Sequence, residues 1–296
     1  MIIAKGKTKV IHNGPLKKTV ILETLDVLTG GDAAKKETIS GIGVYKTAQT
    51  TNVFSLLNKM GLPTAFIRQT SPTELLCYQC EMLPMELVVR RYAFGSYLQR
   101  HPELKTDEGP YRFEETVPEI FHKWSVIAAP ITDKPYQIEE GEARKRFLRN
   151  GVWQEGVYTD PCIQVEGRRW LLYPAKKPLS TAKPLMSIEP ILSPAEYWDL
   201  IEKVMLPTFT VLEDAWNNVI TNYGPVRLVD LKIEVGRRLT DGQIVIADVI
   251  DNDSWRIWPG GDPSKQLDKQ CFRDDYPIAL VAERYALVAQ LTEQFK

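Results

Sequence analysis

Short apolar runs broken by turn residues fill the first third of the chain and predict a small β-rich region. Residues 2–12 and 19–25 read as strands, separated by Asn13-Gly14-Pro15. Residues 44–60 have helical periodicity and end at Gly61, which favours a helix closed by a glycine beyond its C-terminus. Further short strands are predicted at residues 64–68, 75–78 and 85–90.

The middle of the chain, residues 103–190, is rich in proline and charge and lacks a long helical period. Within it, residues 162–165 and 170–173 predict a hairpin, and residues 174–184 predict an irregular loop. The next helix begins at Ser193, because Ser193-Pro194-Ala195-Glu196 carries a capping box with proline in the first turn. Pro207 should kink or split that helix. A last helix is predicted at 278–295.

A polar strand face near the C-terminus is the most informative pattern. Residues 229–235 alternate strictly, so that Asp230, Lys232 and Glu234 share the face opposite the apolar residues. If residues 240–242 form a three-residue loop, Glu234 lies directly opposite Asp248 on the next strand. Two facing carboxylates repel unless a cation such as Mg²⁺ lies between them, and Lys232 beside them could reach a phosphate. A solvated face with salt bridges explains the same pattern.

Two basic segments are candidates for anion binding. Residues 5–9 place Lys7 and Lys9 on one side of a loop that contains a glycine, but the loop lacks the remaining features of a Walker A motif. Residues 90–96 follow an apolar strand and combine Arg90 with Ser96 at the start of a short helix, a set that suits a phosphomonoester. An ordinary basic turn and a surface arginine pair remain open as alternatives.

Composition narrows the classes of protein. A formal net charge of −1 over 296 residues gives no overall electrostatic footprint for nucleic acid. No apolar run is long enough to span a bilayer, and the N-terminal residues lack a signal-peptide pattern, so a cytoplasmic protein is expected. Cys77 and Cys80 have metal or redox spacing without a second pair, which favours free thiols. The oligomeric state is left open between a monomer and a homo-oligomer.

Several segments in order resemble the SAICAR synthetase family, phosphoribosylaminoimidazole-succinocarboxamide synthase, especially the form fused to a carboxylase in animals. The segments that carry the resemblance are residues 5–9, 30–34, 79–84, 86–96, 228–236, 247–258 and 268–273. The resemblance covers about residues 1–123 and 190–296. Several motifs in the right order are more specific than any one alone.

The resemblance implies an α/β (α+β) fold of two lobes, distantly related to protein kinases. A small β-rich nucleotide-binding lobe would span residues 1–83 and a larger α/β catalytic lobe residues 84–296, with ATP in the cleft. The larger lobe would include an insertion at about residues 124–190. The implied reaction uses ATP and Mg²⁺ to join carboxyaminoimidazole ribotide to L-aspartate through an acyl phosphate.

On the nucleotide side, the resemblance implies that Lys7 and Lys9 contact ATP phosphates. Glu81 and Met82 would lie at the adenine. Asp32 would lie toward aspartate or the edge of the nucleotide.

At the reacting phosphoryl group, the resemblance implies that Glu234 and Asp248 hold Mg²⁺, in agreement with the register count. Lys232 would steady the transferring phosphoryl group.

On the side of the ribotide, the resemblance implies that Arg90, Ser96 and Arg256 bind the phosphate. Asp253 and Lys269 would face the imidazole or the incoming amine.

Two departures from the family pattern keep alternatives open. Relatives commonly carry a lysine after Gly41 and then an asparagine, where this chain has Ile42 and Thr47. The middle segment is also longer than the animal pattern. The alternatives are a ligase for another carboxylate or amine, a small-molecule kinase, and a nucleotide-binding regulatory protein without turnover.

Overall fold

A computed structural model describes residues 1–30 and 35–295 and contains a mixture of helices and antiparallel strands, as predicted. The chain divides into two compact units. The first combines Met1–Met82 with Leu206–Lys296, and the second is Leu83–Met205. The two units are defined by their internal contacts, whereas the expected lobes 1–83 and 84–296 are defined by a cleft between them. The units therefore do not test the lobes, which stay a prediction.

The helices and strands fall into three segments of the chain. The N-terminal segment of the first unit contains β1 (Ile2–Lys5), β2 (Lys9–Asn13), β3 (Thr19–Thr24), β4 (Val27–Gly30), β5 (Lys35–Thr38), α1 (Ile42–Lys59), β6 (Phe66–Ser71), β7 (Glu74–Tyr78) and β8 (Cys80–Met82). The second unit contains β9 (Met85–Tyr92), α2 (Ser96–Arg100), β10 (Arg112–His122), β11 (Ser125–Ile127), β12 (Tyr136–Ile138), α3 (Glu140–Phe147), β13 (Leu148–Arg149), β14 (Val152–Trp153), β15 (Val157–Tyr158), β16 (Cys162–Glu166), β17 (Arg169–Tyr173), β18 (Met186–Ile188) and α4 (Pro194–Asp199). The C-terminal segment of the first unit contains α5 (Leu206–Asn218), β19 (Ile220–Thr221), β20 (Gly224–Arg238), β21 (Ile244–Ala247), β22 (Trp255–Pro259), α6 (Gln270–Arg273) and α7 (Ile278–Thr292).

In the first unit, the predicted N-terminal strands form a five-stranded antiparallel sheet in the order β1-β2-β3-β7-β6. The predicted helix is confirmed as α1, and Gly61 beyond its end has a left-handed φ of 78°. Glycine adopts a left-handed backbone conformation with little steric cost because it has no Cβ, which explains why the helix ends there. Cys77 and Cys80 are free thiols, and burial raises the pKa of Cys77 to about 12.

The long strand β20 organises the C-terminal half of the first unit. It pairs antiparallel with β8, β19, β21 and β22. The predicted strand is confirmed as part of β20, in which Val229, Leu231, Ile233 and Val235 are all buried; Asp230 and Glu234 are buried too, while Lys232 is partly exposed. Burying this apolar row fixes which face of β20 carries the charged residues.

The second unit is built on an antiparallel sheet in the order β18-β17-β16-β10-β9. The predicted hairpin is confirmed as β16–β17 and lies inside this sheet, with β10 on one side and β18 on the other. The capping box at Ser193 is also confirmed, since its side chain accepts a bond from the Glu196 N–H. The helix predicted from Ser193 is split, as expected, into α4, a π-helical segment Leu200–Met205 and α5, whose second residue is Pro207. Among the described residues, no helix is long and apolar enough to cross a membrane.

Candidate active site

The hairpin that carries Glu234 differs by one residue from the sequence-based register, which is therefore wrong. Glu234 pairs with Ala247, not with Asp248. The loop contains four residues, closed by bonds from Arg238 N to Gln243 O (2.9 Å) and from Gly242 N to Arg238 O (2.8 Å). The Arg238 guanidinium also bonds Asp241 and the Gln243 side chain, which stabilises the longer turn.

Asp248 nevertheless does not continue the alternation of the strand. In an unbroken strand the residue after Ala247 would point to the opposite face. The strand β21 ends at Ala247, and Asp248 has a left-handed φ of 63°, a conformation that aspartate tolerates better than most residues. The change of backbone direction comes at the residue that the resemblance assigns to the metal.

Each proposed metal carboxylate lies beside a lysine of the first unit. Lys9 Nζ contacts Asp248 Oδ1, and Lys232 Nζ lies 3.6 Å from Glu234 Oε1. Lys9 begins β2, while Lys7 lies in the turn between β1 and β2. The structure therefore brings Lys9 and Asp248 together across 239 residues of sequence.

The donor set fits a magnesium ion bound together with a nucleotide. Within residues 1–30 and 35–295, no group of three or more His, Cys, Asp or Glu side chains forms a metal cluster. Mg²⁺ is commonly held by one or two carboxylates with substrate phosphates and water completing the shell, so Glu234 and Asp248 would suffice.

The expected adenine contacts lie on an exposed strand. In β8, Glu81 pairs with Arg237 and Met82 pairs with Gly236. A Cβ at Gly236 would lie 2.9 Å from Cys80 Cβ and 3.0 Å from Glu81 O. Glycine is therefore needed for β20 to approach β8 so closely.

A densely connected charged group is centred on Asp253. Lys269 Nζ donates to Asp253 Oδ2 at 2.8 Å, and Lys46 Nζ lies 3.4 Å from the same oxygen. Tyr285 Oη donates to Oδ1 at 2.7 Å. Lys46 also lies 3.6 Å from Asp251 Oδ2. The two residues that the resemblance assigns to the imidazole or the amine, Asp253 and Lys269, are thus in contact and are joined by three residues that sequence reasoning did not select.

Charge balance inside this cluster determines the protonation of its members. Burial opposes ionisation of Asp253, but Lys46 and Lys269 outweigh it and hold the pKa of Asp253 well below its usual range. Burial lowers the pKa of Lys269, and the attraction of Asp253 only partly offsets that effect. Burial would also lower the pKa of Lys46, yet Asp251 and Asp253 raise it above its usual value. Asp253 is therefore a fixed anion, while Lys269 is the cation that is easier to deprotonate.

Helix α1 positions this cluster through polar residues on its buried face. Gln49 accepts a bond from the Asn252 N–H (2.9 Å) and donates to Tyr285 O (2.9 Å), while Thr50 donates to Ile250 O (3.2 Å). Lys46 lies one turn before Thr50 and is 3% exposed. Polar residues at core-facing helical spacing were the available signal for Lys46. The lysine expected at position 42 is absent, and the helix carries this one a turn later.

Arg256 lies in a second charged group of the first unit. Its Nη1 atom bonds Asp230 Oδ2, so the guanidinium is held by the strand opposite. Asp268 is 1% exposed and accepts a bond from the Gln270 N–H at 2.8 Å. Burial raises the pKa of Asp268 to about 6, although Arg256 pulls it down.

In the second unit, Arg90 belongs to a buried ion cluster. Arg90 Nε lies 2.5 Å from Glu119 Oε2, and Arg100 Nη2 lies 2.5 Å from Glu119 Oε1. The Arg100 residue is 1% exposed. The Arg90 guanidinium also lies over the Tyr97 ring at 5.6 Å. Ser96 begins α2, as predicted. Sequence reasoning selected Arg90 and missed Glu119 and Arg100. Asp32 lies outside the described residues.

Comparison with known proteins gives the family. The family model described as SAICAR synthetase matches residues 2–143 and 177–286. Phosphoribosylaminoimidazole-succinocarboxamide synthase of Herpetosiphon aurantiacus is 34% identical over 300 residues, which covers 99% of this chain and 98% of that protein. The human bifunctional carboxylase and succinocarboxamide synthetase is 34% identical, over 91% of this chain and 52% of that protein. The fold and sequence thus define the class of SAICAR synthetases.

A solved structure agrees in fold. A SAICAR synthetase in complex with ADP superposes with a TM-score of 0.66 at 23% identity, covering 99% of this chain and 97% of that one. The chain belongs to the SAICAR synthetase family. The family model leaves residues 144–176 unmatched, a shorter segment than the insertion expected at about 124–190, whose bounds stay a prediction.

Proposed function

We propose that this protein is an ATP-dependent ligase that forms an amide between carboxyaminoimidazole ribotide and L-aspartate in purine biosynthesis. The observation that carries the proposal is the similarity to the phosphoribosylaminoimidazole-succinocarboxamide synthase of Herpetosiphon aurantiacus along almost the whole length of both chains. The ribotide carboxylate attacks the γ-phosphate of ATP and gives an acyl phosphate with release of ADP. The aspartate amine then attacks the acyl carbon, the C–N bond forms and phosphate leaves.

The nucleotide would be bound by basic residues and by an exposed strand of the first unit. Lys7 and Lys9 suit the phosphates, because one lies in the β1–β2 turn and the other begins β2. Glu81 and Met82 suit the adenine, since both are exposed on β8. Asp32 remains a candidate for the aspartate or the nucleotide edge on the resemblance alone.

The phosphoryl group would be transferred beside Glu234 and Asp248, which we assign as ligands of Mg²⁺. The bound ion would neutralise charge on the phosphate oxygens. Lys232 would contact the transferring group, an assignment supported by its position 3.6 Å from Glu234. A positive charge held there lowers the cost of charge on the phosphoryl oxygens.

Arg90, Ser96 and Arg256 would bind the phosphate of the ribotide. Arginine presents a planar fork of donors that matches a phosphate, and both guanidinium groups are already fixed by buried carboxylates. Asp253 and Lys269 would face the imidazole or the amine, with Lys269 as the titratable cation.

The decisive experiment measures ADP release and amide formation with the purified protein. ADP release should require the ribotide and L-aspartate together, and mass spectrometry should find the succinocarboxamide product. A phosphorylated ribotide without an amide would identify a kinase. Turnover with another amine or carboxylate, but not with these two, would identify a ligase of different specificity.

Variants Glu234→Ala and Asp248→Ala test the metal assignment. Each should abolish turnover and leave the far-ultraviolet circular dichroism unchanged. Asp262→Ala is a matched control, because this aspartate is exposed in a turn of the same unit. Near-normal turnover in both active-site variants would refute the assignment. We also propose a cytoplasmic location; assembly into a homo-oligomer stays open to measurement by light scattering.

A further inference from the structure

The cluster around Asp253 has an inner and an outer part. Lys46, Asp251 and Tyr285 are 3%, 0% and 0% exposed, so no substrate can touch them. The side chains of Asp253 and Lys269 retain 24% and 10% exposure. The inner residues can therefore influence a bound reactant only through the outer pair.

The contacts give the inner residues a direction in which to act. Lys46 and Lys269 approach the same oxygen of Asp253, at 3.4 and 2.8 Å, while the Tyr285 hydroxyl occupies the other oxygen. A carboxylate with both oxygens engaged by donors from three separate elements of the unit cannot rotate freely. Because Lys46 carries a charge, it also competes with Lys269 for Asp253.

We propose that Lys46 and Tyr285 are positioning residues of the ligase reaction: they fix the carboxylate of Asp253, which in turn holds Lys269 in place and sets its charge. The role of these residues in the reaction rests on the proposed function, whereas the arrangement of charges does not depend on it. Burial raises the pKa of Asp251, an effect that the charge of Lys46 opposes, and Tyr285 adds a donor to Asp253 without adding charge. Lys46 has the second role of facing Asp251, whose Oδ2 atom lies 3.6 Å from Lys46 Nζ and has no hydrogen bond to any of the residues that the structure describes.

Electrostatics predicts what removing each inner residue does. Lys269 is faced by Asp253 from the β21–β22 loop, by Lys46 from α1 and by Arg273 at the end of α6. Losing the Lys46 charge removes its repulsion of the Lys269 ammonium group. Lys269 then pairs with Asp253 without a competing cation, so the pKa of Lys269 should rise. Losing the Tyr285 hydroxyl strengthens Asp253 as an acceptor for Lys269, which gives a smaller rise.

The experiment compares Lys46→Met and Tyr285→Phe with the wild-type protein by two independent measurements. The first is the pH dependence of Lys269 acetylation by acetic anhydride, read by mass spectrometry, with the exposed Lys145 as internal reference. In Lys46→Met the midpoint of Lys269 labelling should move up by about one pH unit. The second is steady-state amide formation, in which kcat should fall about tenfold in Lys46→Met and less in Tyr285→Phe, with the KM for ATP unchanged.

Matched controls are Lys203→Met, which removes an exposed lysine paired with Asp199, and Tyr197→Phe in the second unit. Tyr285→Phe removes one oxygen atom and keeps the packing, so it serves if Lys46→Met does not fold. Unchanged labelling and unchanged kcat in the folded variants would overturn the inference and leave the proposed function standing. A wild-type protein that forms no amide would overturn the proposed function, while a shifted Lys269 midpoint would still support the arrangement of charges.

Discussion

Each unit of the protein contains a carboxylate held between two cations, and the two clusters differ in the kind of cation. In the second unit, Glu119 lies between Arg90 and Arg100, with one oxygen for each guanidinium. In the first unit, Asp253 lies between Lys46 and Lys269, which share one oxygen.

The choice of cation determines what each cluster can do. A guanidinium stays charged throughout the physiological pH range and its donors have a fixed geometry, so the arginine cluster suits constant binding of an anion. An ammonium group titrates when it is buried, so the lysine cluster can change its charge during a reaction. Substitutions that alter one cluster at a time test whether the two clusters differ in this way.

Removing the charge of Asp253 should have the largest effect. An asparagine cannot balance two lysines, and its amide donors would repel one of them. We expect Asp253→Asn to lower kcat for amide formation by about a thousandfold, within the range for loss of a preorganised charge. The control is Asp262→Asn in an exposed turn. A loss of less than threefold in Asp253→Asn would show that the lysine cluster takes no part in the reaction.

The matching change in the second unit should act mainly on stability. Glu119→Gln leaves two buried guanidinium groups without a counter-charge, and breaking such a buried pair costs about 3 kcal/mol or more. Urea denaturation should show this loss in the free energy of unfolding, with the exposed Glu115→Gln as control. If the loss were under about 1 kcal/mol, the arginine cluster would not be an anchor of the fold.

Asp268, the neighbour of Lys269 in sequence, should make the stability of the protein depend on pH. Its pKa is about 6 in the folded protein and 3.8 without the fold. The folded state therefore holds this proton more tightly, so its contribution to stability is complete below pH 4 and is lost as the pH rises through 6.

Asp268→Asn removes this titration. Relative to the wild-type protein, the variant should gain stability as pH rises from 4 to 7, by about 3 kcal/mol at most. Chemical denaturation at a series of pH values measures the difference. A difference that is constant with pH would contradict the raised pKa. Above pH 7 the difference should stop changing.

The sequence predicted most of the framework because the local signals agreed with the fold. Alternating apolar residues in β20, the capping box at Ser193 and the glycine after α1 each give a rule that tertiary contacts did not override. The register of the hairpin failed because the loop has four residues, closed by backbone bonds at Arg238 and stabilised by the Arg238 side chain, which binds Asp241 and Gln243. A loop length that depends on side-chain contacts cannot be read from turn residues alone.

Candidate residues were found where a motif names them and missed where only packing brings them together. Lys269 and Asp253 lie in segments that resemble a family. Tyr285 lies on α7 and contacts Asp253 across 32 residues of sequence, while Lys46 is 207 residues away from it. In the sequence, Glu119 is one of several charged residues on β10. Only the fold shows that Arg90 on β9 and Arg100 on α2 each contact one of its oxygens. Such clusters are properties of the fold and have no local signature.

The smallest expected effect comes from exchanging one cation type for the other. Arg90 donates Nε to Glu119 and lies over the Tyr97 ring, and a lysine has neither a fixed fork nor a planar face. Arg90→Lys should lower the free energy of unfolding by about 1 kcal/mol, because one charged contact survives.

If Arg90 also binds the ribotide phosphate, the single ammonium group of the Arg90→Lys variant can contact either that phosphate or Glu119, but not both. The KM for the ribotide should then rise about threefold to tenfold at constant kcat, as expected for a contact made equally in the ground and transition states. An unchanged KM with lower stability would keep Arg90 as an anchor and remove it from the binding site, whereas a fall in kcat would mean that the arginine cluster, like the lysine cluster, acts on the reaction itself.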